Sequence, residues 1–321
     1  MSREHVSHSD IANFADERVN LKKDDAEELR RQGKMLRERL DQYLSEHEHF
    51  ELRKILISGS LAKGTALKST SDLDLACYVS SDTAPQDIGK LIDWLADRLE
   101  KAFANFKPEQ ITRKHYSVGV TFKTTGNEID VVPILYAGDP GWKGYLVSQE
   151  NGEKLMTSVP MHLDFIRKRK TAHPTHLAQV IRLVKYWARL RKQEDEDFRF
   201  KSFMIELVVC HLADKGVKLD DYVEAMAAFF NFLVTDEFKS AIAFSDYYDP
   251  KKCKSGSEPL RIWDPVNWEN NVAKLYTSVN KQKLLSAAMD AADAVDSAIH
   301  AVSKGDTVRY WQKVFGPLFS V

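Results

Sequence analysis

Asp72 and Asp74, in DLDLACYV (72–79), are separated by one residue and follow a Gly59-Ser60 turn and a basic, Thr-rich loop. On an extended strand alternate side chains share a face, so these two carboxylates point the same way, with Cα atoms about 6.5–7 Å apart. Leu73, Leu75 and Cys77 then point oppositely, into a core. A third acid, Asp130, stands between Ile129 and Val131 in EIDVVPIL (128–135), and an acid on an otherwise buried strand needs a partner. Like charges this close repel unless a cation neutralises them. Three carboxylates on neighbouring strands would hold two Mg²⁺ ions, or Mn²⁺ in their place, about 3.5–4 Å apart. Such a pair orients a nucleoside triphosphate and stabilises leaving pyrophosphate. Alone, the Asp-x-Asp pair reads equally well as a solvated strand face. Gly59 permits a sharp turn, and the Ser60 hydroxyl with neighbouring N–H groups can donate to a phosphate, although the same residues also make an ordinary turn. GSLAKGT (59–65) is no P-loop, because that motif needs Gly-Lys-Ser/Thr in order and here Lys63 precedes Gly64.

The elements that must carry these residues can be traced from periodicity. Residues 24–46 form a long helix, with Leu29, Leu36, Leu40 and Tyr43 on one stripe and acids in its first turn. Strands are predicted over 51–58, 72–79, 116–122 and 128–135, and an amphipathic helix over 85–103. After about residue 160 strand signals fade, and helices are predicted over 176–193, 202–216, 221–238 and from about Asn271 to Val302, with Gly216 as a C-cap. Residues 245–262 read as a loop. The fold class is therefore α+β: a mixed sheet with helices over 1–160, then a helical domain over 161–321, with a ligand cleft expected between them.

Composition bounds the function. The chain has 321 residues, enough for two domains of about 150 each, and its 43% hydrophobic content supports an ordinary core. No apolar run reaches the ~18 residues of a membrane span, and the polar start MSREHVSHSD is no signal peptide. Three cysteines without Cys-x-x-Cys spacing point to a reducing cytoplasm. Net charge is −1, yet residues 165–201 hold 11 Lys+Arg against 4 Asp+Glu, a local excess of +7 that favours polyphosphate or a nucleic-acid backbone. Arg182, Lys185, Arg189 and Lys192 fall on one helical stripe, and RKRK (167–170) is a candidate nucleic-acid patch, although such runs are also ordinary solvated faces. His162, His173 and His176 lack ligand-spaced partners and read as structural, and Trp142, Trp187, Trp263 and Trp268 as core.

Gly59-Ser60, Asp72-x-Asp74 and a third Asp on a later strand together resemble the DNA polymerase β-like nucleotidyltransferase superfamily. VKYWARL (184–190), FRFKSFMIEL (198–207) and IWDPVNWENNVAKLY (262–276) look like the oligoadenylate synthase and cGAS/DncV-like branch. In bacteria these are the CD-NTases, which make cyclic oligonucleotide second messengers in anti-phage CBASS operons. The similarity spans nearly the whole chain, including a long N-terminal helix that braces both halves in that family, and is nearest the clade with HORMA-domain partners. It implies Mg²⁺ ligation by Asp72, Asp74 and Asp130, with Asp130 also activating the acceptor hydroxyl. It further implies triphosphate binding by Gly59 and Ser60 and a grip on the β/γ-phosphates by Lys185 and Ser202. Phe203 stands where the family often has a Tyr that stacks on the donor base, and Asp264 lies near or supports the base pocket. Arg199 and Lys201 are further phosphate contacts. Each position also has a plain reading: Lys185 as a solvated helix residue, Ser202 as an N-cap, Phe203 as core and Asp264 as a turn. The implied substrates are NTPs, with ATP favoured; a HORMA-domain protein and activating duplex DNA are the implied partners. Two other functions remain open. One is nucleotide transfer to RNA, protein or a small molecule; the other is a catalytically silent nucleotide-binding scaffold.

Overall fold

A computed structural model describes residues 5–47, 52–68, 72–80, 82, 84, 87–147, 154–254 and 256–321, without the side chains of Asp72 and Ile88. Glu51, Pro85 and Gln86, at the ends of predicted elements, and Ser69, Thr70 and Ser71 of the Thr-rich loop lie outside the described residues. The chain divides into two compact units, Leu21–Asp164 and a second formed by Met1–Asn20 with Phe165–Val321. The boundary thus falls at 164, and residues 1–20 cluster with the helical half rather than with the sheet.

In the helical unit the first helix is α1 (His8–Phe14), extended by a π-helical turn over Ala15–Val19. The sheet unit follows with α2 (Lys23–Glu46), β1 (Leu52–Ser58), α3 (Gly59–Lys63), β2 (Asp72–Ser80), α4 (Ile88–Ala102), β3 (Ile111–Arg113), β4 (Val118–Thr121), β5 (Glu128–Tyr136), β6 (Gly144–Val147) and β7 (Lys154–Thr157). The strands form one sheet in the order β1-β2-β5-β4-β3, with β6 on the distal end of β5 and β7 beyond it. Only β2 and β5 run parallel among these pairs.

Side-chain alternation separates the two sheet faces. Leu73, Leu75, Cys77, Val79, Ile129, Val131 and Leu135 point into a core closed by α2 and α4. From α2 come Leu29, Leu36, Leu40 and Leu44, each at most 2% exposed. Burying each contributes about 1.5–3 kcal/mol of transfer free energy. Gly33 lies on the same stripe because a Cβ there would sit 2.2 Å from Leu73 Cδ2. Its absence lets α2 lie directly on the strand that carries Asp72 and Asp74. The opposite face carries Asp74, Ala76 and Tyr78 of β2 and Asp130, Val132 and Ile134 of β5.

Helix α5 (Val159–Ala172) crosses the unit boundary, and its apolar spacing does not mark it as a helix in the sequence. The helical unit continues with α6 (His176–Glu194), α7 (Ser202–Asp214), α8 (Tyr222–Asp236), α9 (Ser278–His300) and α10 (Lys304–Phe315). Trp187, Phe229, Phe230, Trp311, Phe315 and Phe319 form its fully buried aromatic centre. Gly216 takes φ +84° after α7, with Val217 N–H donating to Leu212 O and Gly216 N–H to Ala213 O, the C-cap expected of a glycine there. The predicted run from Asn271 begins later, because Thr277 and Asn280 form a reciprocal capping box that sets the start of α9.

Candidate active site

Parallel pairing places Asp74 directly beside Asp130 and Asp72 beside Glu128. The backbone thus gathers four acids on adjacent strands, all at positions facing away from the helix-covered core. The side chain of Asp72 itself lies outside the described residues. Glu128 is an addition to the predicted acids, although Glu-x-Asp at 128–130 repeats the spacing of Asp-x-Asp at 72–74.

The partner that a half-buried Asp130 needs is Lys114. Its Nζ lies 2.8 Å from Asp130 Oδ1 and 2.7 Å from Glu128 Oε1. Ser117 Oγ donates to the same Asp130 oxygen at 3.2 Å. Lys114 N–H donates to Ser117 O, so a single tight loop between β3 and β4 presents both donors. Partial burial lowers the Lys114 pKa, but hydrogen bonds to Asp130 and Glu128 outweigh it and the net shift is upward.

The Gly-Ser corner is built around Asp74. Gly59 has φ +67°, and a Cβ there would lie 1.7 Å from Asp74 Oδ2. Both backbone conformation and space therefore require glycine. Ser58, the last residue of β1, pairs with Asp74, and its Oγ donates to Asp74 O at 3.1 Å. Ser60 is the next residue after Gly59, half-exposed in the single turn of α3.

A cavity of about 180 Å³ opens beside Asp74 and Gly59. Ala76, Val132, Ile134 and Leu146 make it apolar, while Lys63 and His162 add polar groups. His162 is thus a pocket residue, not merely a structural one, and nothing in its spacing signals this. It is placed by the start of α5. There Val159 N–H donates to Tyr78 OH at 3.0 Å, and Ser158 Oγ accepts from Met161 N–H while donating to Gly141 O. Burial pushes the Tyr78 phenol up to about 12, against the opposing effect of the Val159 N–H.

The remaining candidates lie in the helical unit. Ser202 is exposed at the first position of α7, whose N-cap is Lys201, not Ser202. Lys201 N–H donates to Tyr276 OH, and its pKa is lowered by burial and by Arg199 and Lys274. Phe203 is half-buried. Asp264 is 3% exposed and accepts from Val266 N–H and Asn270 Nδ2, which fixes the WDPVNWENN turn.

Of the four basic residues on the predicted stripe, Arg189 and Lys192 are exposed and Arg182 is half-buried, but Lys185 is turned inward. Lys185 is 5% exposed and its ammonium lies 2.6 Å from Glu206 Oε1, an ion pair within the core. Arg182 donates to Asn20 Oδ1 and Gln179 Oε1. Within RKRK, Arg169 is buried between Asp214 and Asp246 and stacks on Phe165, so only Arg167 and Lys168 are exposed.

A mixed sheet with paired acids on its open face, a Gly-Ser turn at their flank and a following helical unit define a polymerase β-like nucleotidyltransferase. Residues 6–168 match the family model for the Second Messenger Oligonucleotide or Dinucleotide Synthetase domain. The chain belongs to this family and is a nucleotidyltransferase that makes cyclic oligonucleotides. It is 54% identical over 319 residues to a cyclic AMP-AMP-AMP synthase of Escherichia coli MS 115-1, covering 99% of each chain. Among solved structures it is similar to E. coli MS115-1 CdnC in complex with HORMA-deltaN, with TM-score 0.93, 52% identity and full coverage of both chains. It is equally similar to CdnC with ATP, with TM-score 0.93, 53% identity and coverage of 99% and 100%. The family generally uses divalent metals.

Proposed function

We propose that this chain joins three ATP molecules into a cyclic AMP trinucleotide, using two Mg²⁺ ions at Asp72, Asp74 and Asp130. The observation that carries the reading is the register that sets Asp74 beside Asp130, with the Asp74 carboxylate held against Gly59. The donor set is hard carboxylate oxygen, which suits Mg²⁺ or Mn²⁺, so these residues fit the group. When bound, the cations supply charge neutralisation of the triphosphate and a lowered pKa for the attacking hydroxyl.

The chain's own groups do the rest. In each step an acceptor hydroxyl oxygen bonds to an α-phosphorus, the bond to the β-phosphate bridging oxygen breaks, and pyrophosphate leaves. Asp130, oriented through Oδ1 by Ser117, takes the hydroxyl proton. Ser60 and the Gly59 turn hold the donor triphosphate from the sheet unit. The largely apolar cavity beside Asp74 suits a ribose or base. On the helical unit, Ser202 with Arg199 and Lys201 contacts phosphate, and Phe203 stacks on a base. Lys185, engaged by Glu206, supports the α6–α7 contact, so phosphate binding is assigned to the other three. Asp264 supports its turn rather than touching the base.

ATP as substrate is supported by the 54%-identical cyclic AMP-AMP-AMP synthase and by the relative solved with ATP. A HORMA-domain regulator is supported by the relative solved with HORMA-deltaN. Activating duplex DNA is the third component of the proposal, and Arg167 and Lys168 are its candidate contacts. A reducing cytoplasm suits three free cysteines. No helix among the described residues is long and apolar enough to cross a membrane. The test is mass spectrometry of products from mixed NTPs and Mg²⁺, with a HORMA-domain partner and duplex DNA added singly and together. A phosphatase-resistant cyclic trimer of AMP is expected. Extension of added RNA, or no product under every combination, defeats the proposal.

A further inference from the structure

Lys114 occupies a position that the reaction does not explain. Its ammonium bridges Glu128 and Asp130, at 2.7 and 2.8 Å, in the same acidic face where cations are to be held. The bridge is accommodated by the surrounding backbone. Gly119 on β4 pairs directly with Asp130, and a Cβ there would lie 2.9 Å from Lys114 Cε and 2.5 Å from Glu128 Oε1. The lysine stem therefore crosses space that any other residue at 119 would fill. Gly119 has no positive φ to explain its identity.

We infer that Lys114 is a built-in counter-cation, a positioning residue that holds Asp130 Oδ1 against divalent metal until nucleotide arrives. The inference rests on the proposed metal ligation by Asp72, Asp74 and Asp130. Repulsion among Asp74, Glu128 and Asp130 would otherwise splay their strands or recruit metal without substrate. Lys114 offsets one charge in place. When the triphosphate enters with its own cations, Asp130 is surrendered to the site, and Glu128 remains as the acid on which the ammonium rests. Glu128 therefore keeps Lys114 within reach without itself joining the metal ligands.

The measurement is equilibrium Mn²⁺ binding to the nucleotide-free full chain, read from the electron paramagnetic resonance signal of free Mn²⁺. Wild type is compared with Asp74→Asn, Lys114→Met and Gly119→Ala, with circular dichroism confirming the fold of each. A partly exposed charge pair contributes up to about 1 kcal/mol, so Lys114→Met is expected to bind Mn²⁺ about fivefold more tightly than wild type. Gly119→Ala keeps every charge but displaces the bridge, and is expected to tighten binding in the same direction. ATP is expected to close most of the gap between wild type and both variants. Weaker or unchanged binding in Lys114→Met overturns the inference. So does tightening in Lys114→Met with none in Gly119→Ala, which would make the effect one of net charge alone. Wild-type binding that Asp74→Asn leaves intact overturns the metal assignment itself, and this inference with it.

Discussion

Gly59→Ala isolates the contribution of one carboxylate position. The new methyl would lie 1.7 Å from Asp74 Oδ2 and 2.7 Å from its Cγ, where non-bonded Cβ atoms essentially never come closer than 3.0 Å. Asp74 must therefore retreat by about 1.3 Å or turn its carboxylate away. A misplacement of about 1 Å at a reacting centre costs roughly 100-fold in rate. The substitution also imposes φ +67° on an alanine, at about 1–2 kcal/mol. That second effect can be measured separately. Gly126 has φ +73°, and a methyl group there would meet nothing within 4 Å, so Gly126→Ala carries the backbone penalty without the clash. The assay is initial pyrophosphate release from ATP and Mg²⁺ in the activated complex, alongside thermal unfolding of both variants. Both should lose about 1–2 kcal/mol of stability. Only Gly59→Ala should lose about two orders of magnitude in rate. Equal rates in the two variants would show that the Asp74 position does not matter to the chemistry.

Three further substitutions or treatments test the framework. Gly33→Ala drives a methyl to 2.2 Å from Leu73 Cδ2, and overpacking of this kind costs about 1–3 kcal/mol, to be read from denaturant midpoints. Lys185→Met leaves Glu206 buried without its cation and should destabilise the helical unit by about 3–5 kcal/mol, while a Lys185→Met/Glu206→Leu double variant recovers much of the loss. Burial, with a lesser contribution from Asp41, pushes the Cys77 thiol up to about 12, so at pH 8.5 it stays protonated. A thiol reagent at that pH should modify half-buried Cys253 first in native protein and all three cysteines only after unfolding.

The sheet and its acids are legible in the sequence because strand alternation is a strong, local signal. Asp72, Asp74 and Asp130 stand in period-2 patterns whose apolar members have to face a core, and those members do so. Short elements are less visible. The four-residue strands β6 and β7 carry too few alternations to register. Helix α5 mixes its basic run with buried Phe165 and Ile166, so its apolar face is weak. Lys114, Glu128 and Gly119 escape notice for a different reason. Glu128 and Gly119 matter through the register of β5 against β2 and β4, and Lys114 reaches the acids from the loop between β3 and β4; no spacing along the chain encodes which residue a strand will face. Lys185 shows the converse error. A helical stripe of basic residues suggests a solvated face, yet the neighbouring α7 supplies Glu206 and turns one of them inward.

If carboxylates on β2 and β5 converge to hold divalent cations against a nucleotide's phosphates, those cations should be visible where the strands meet. Crystals grown with Mn²⁺ and a non-hydrolysable ATP analogue, read through anomalous difference maps, decide the point. Manganese peaks are expected within coordination distance of Asp72, Asp74 and Asp130, with phosphate density at Gly59 and Ser60. Manganese bound elsewhere, with Lys114 still bridging Glu128 and Asp130 beside bound nucleotide, would show that these acids serve some other purpose.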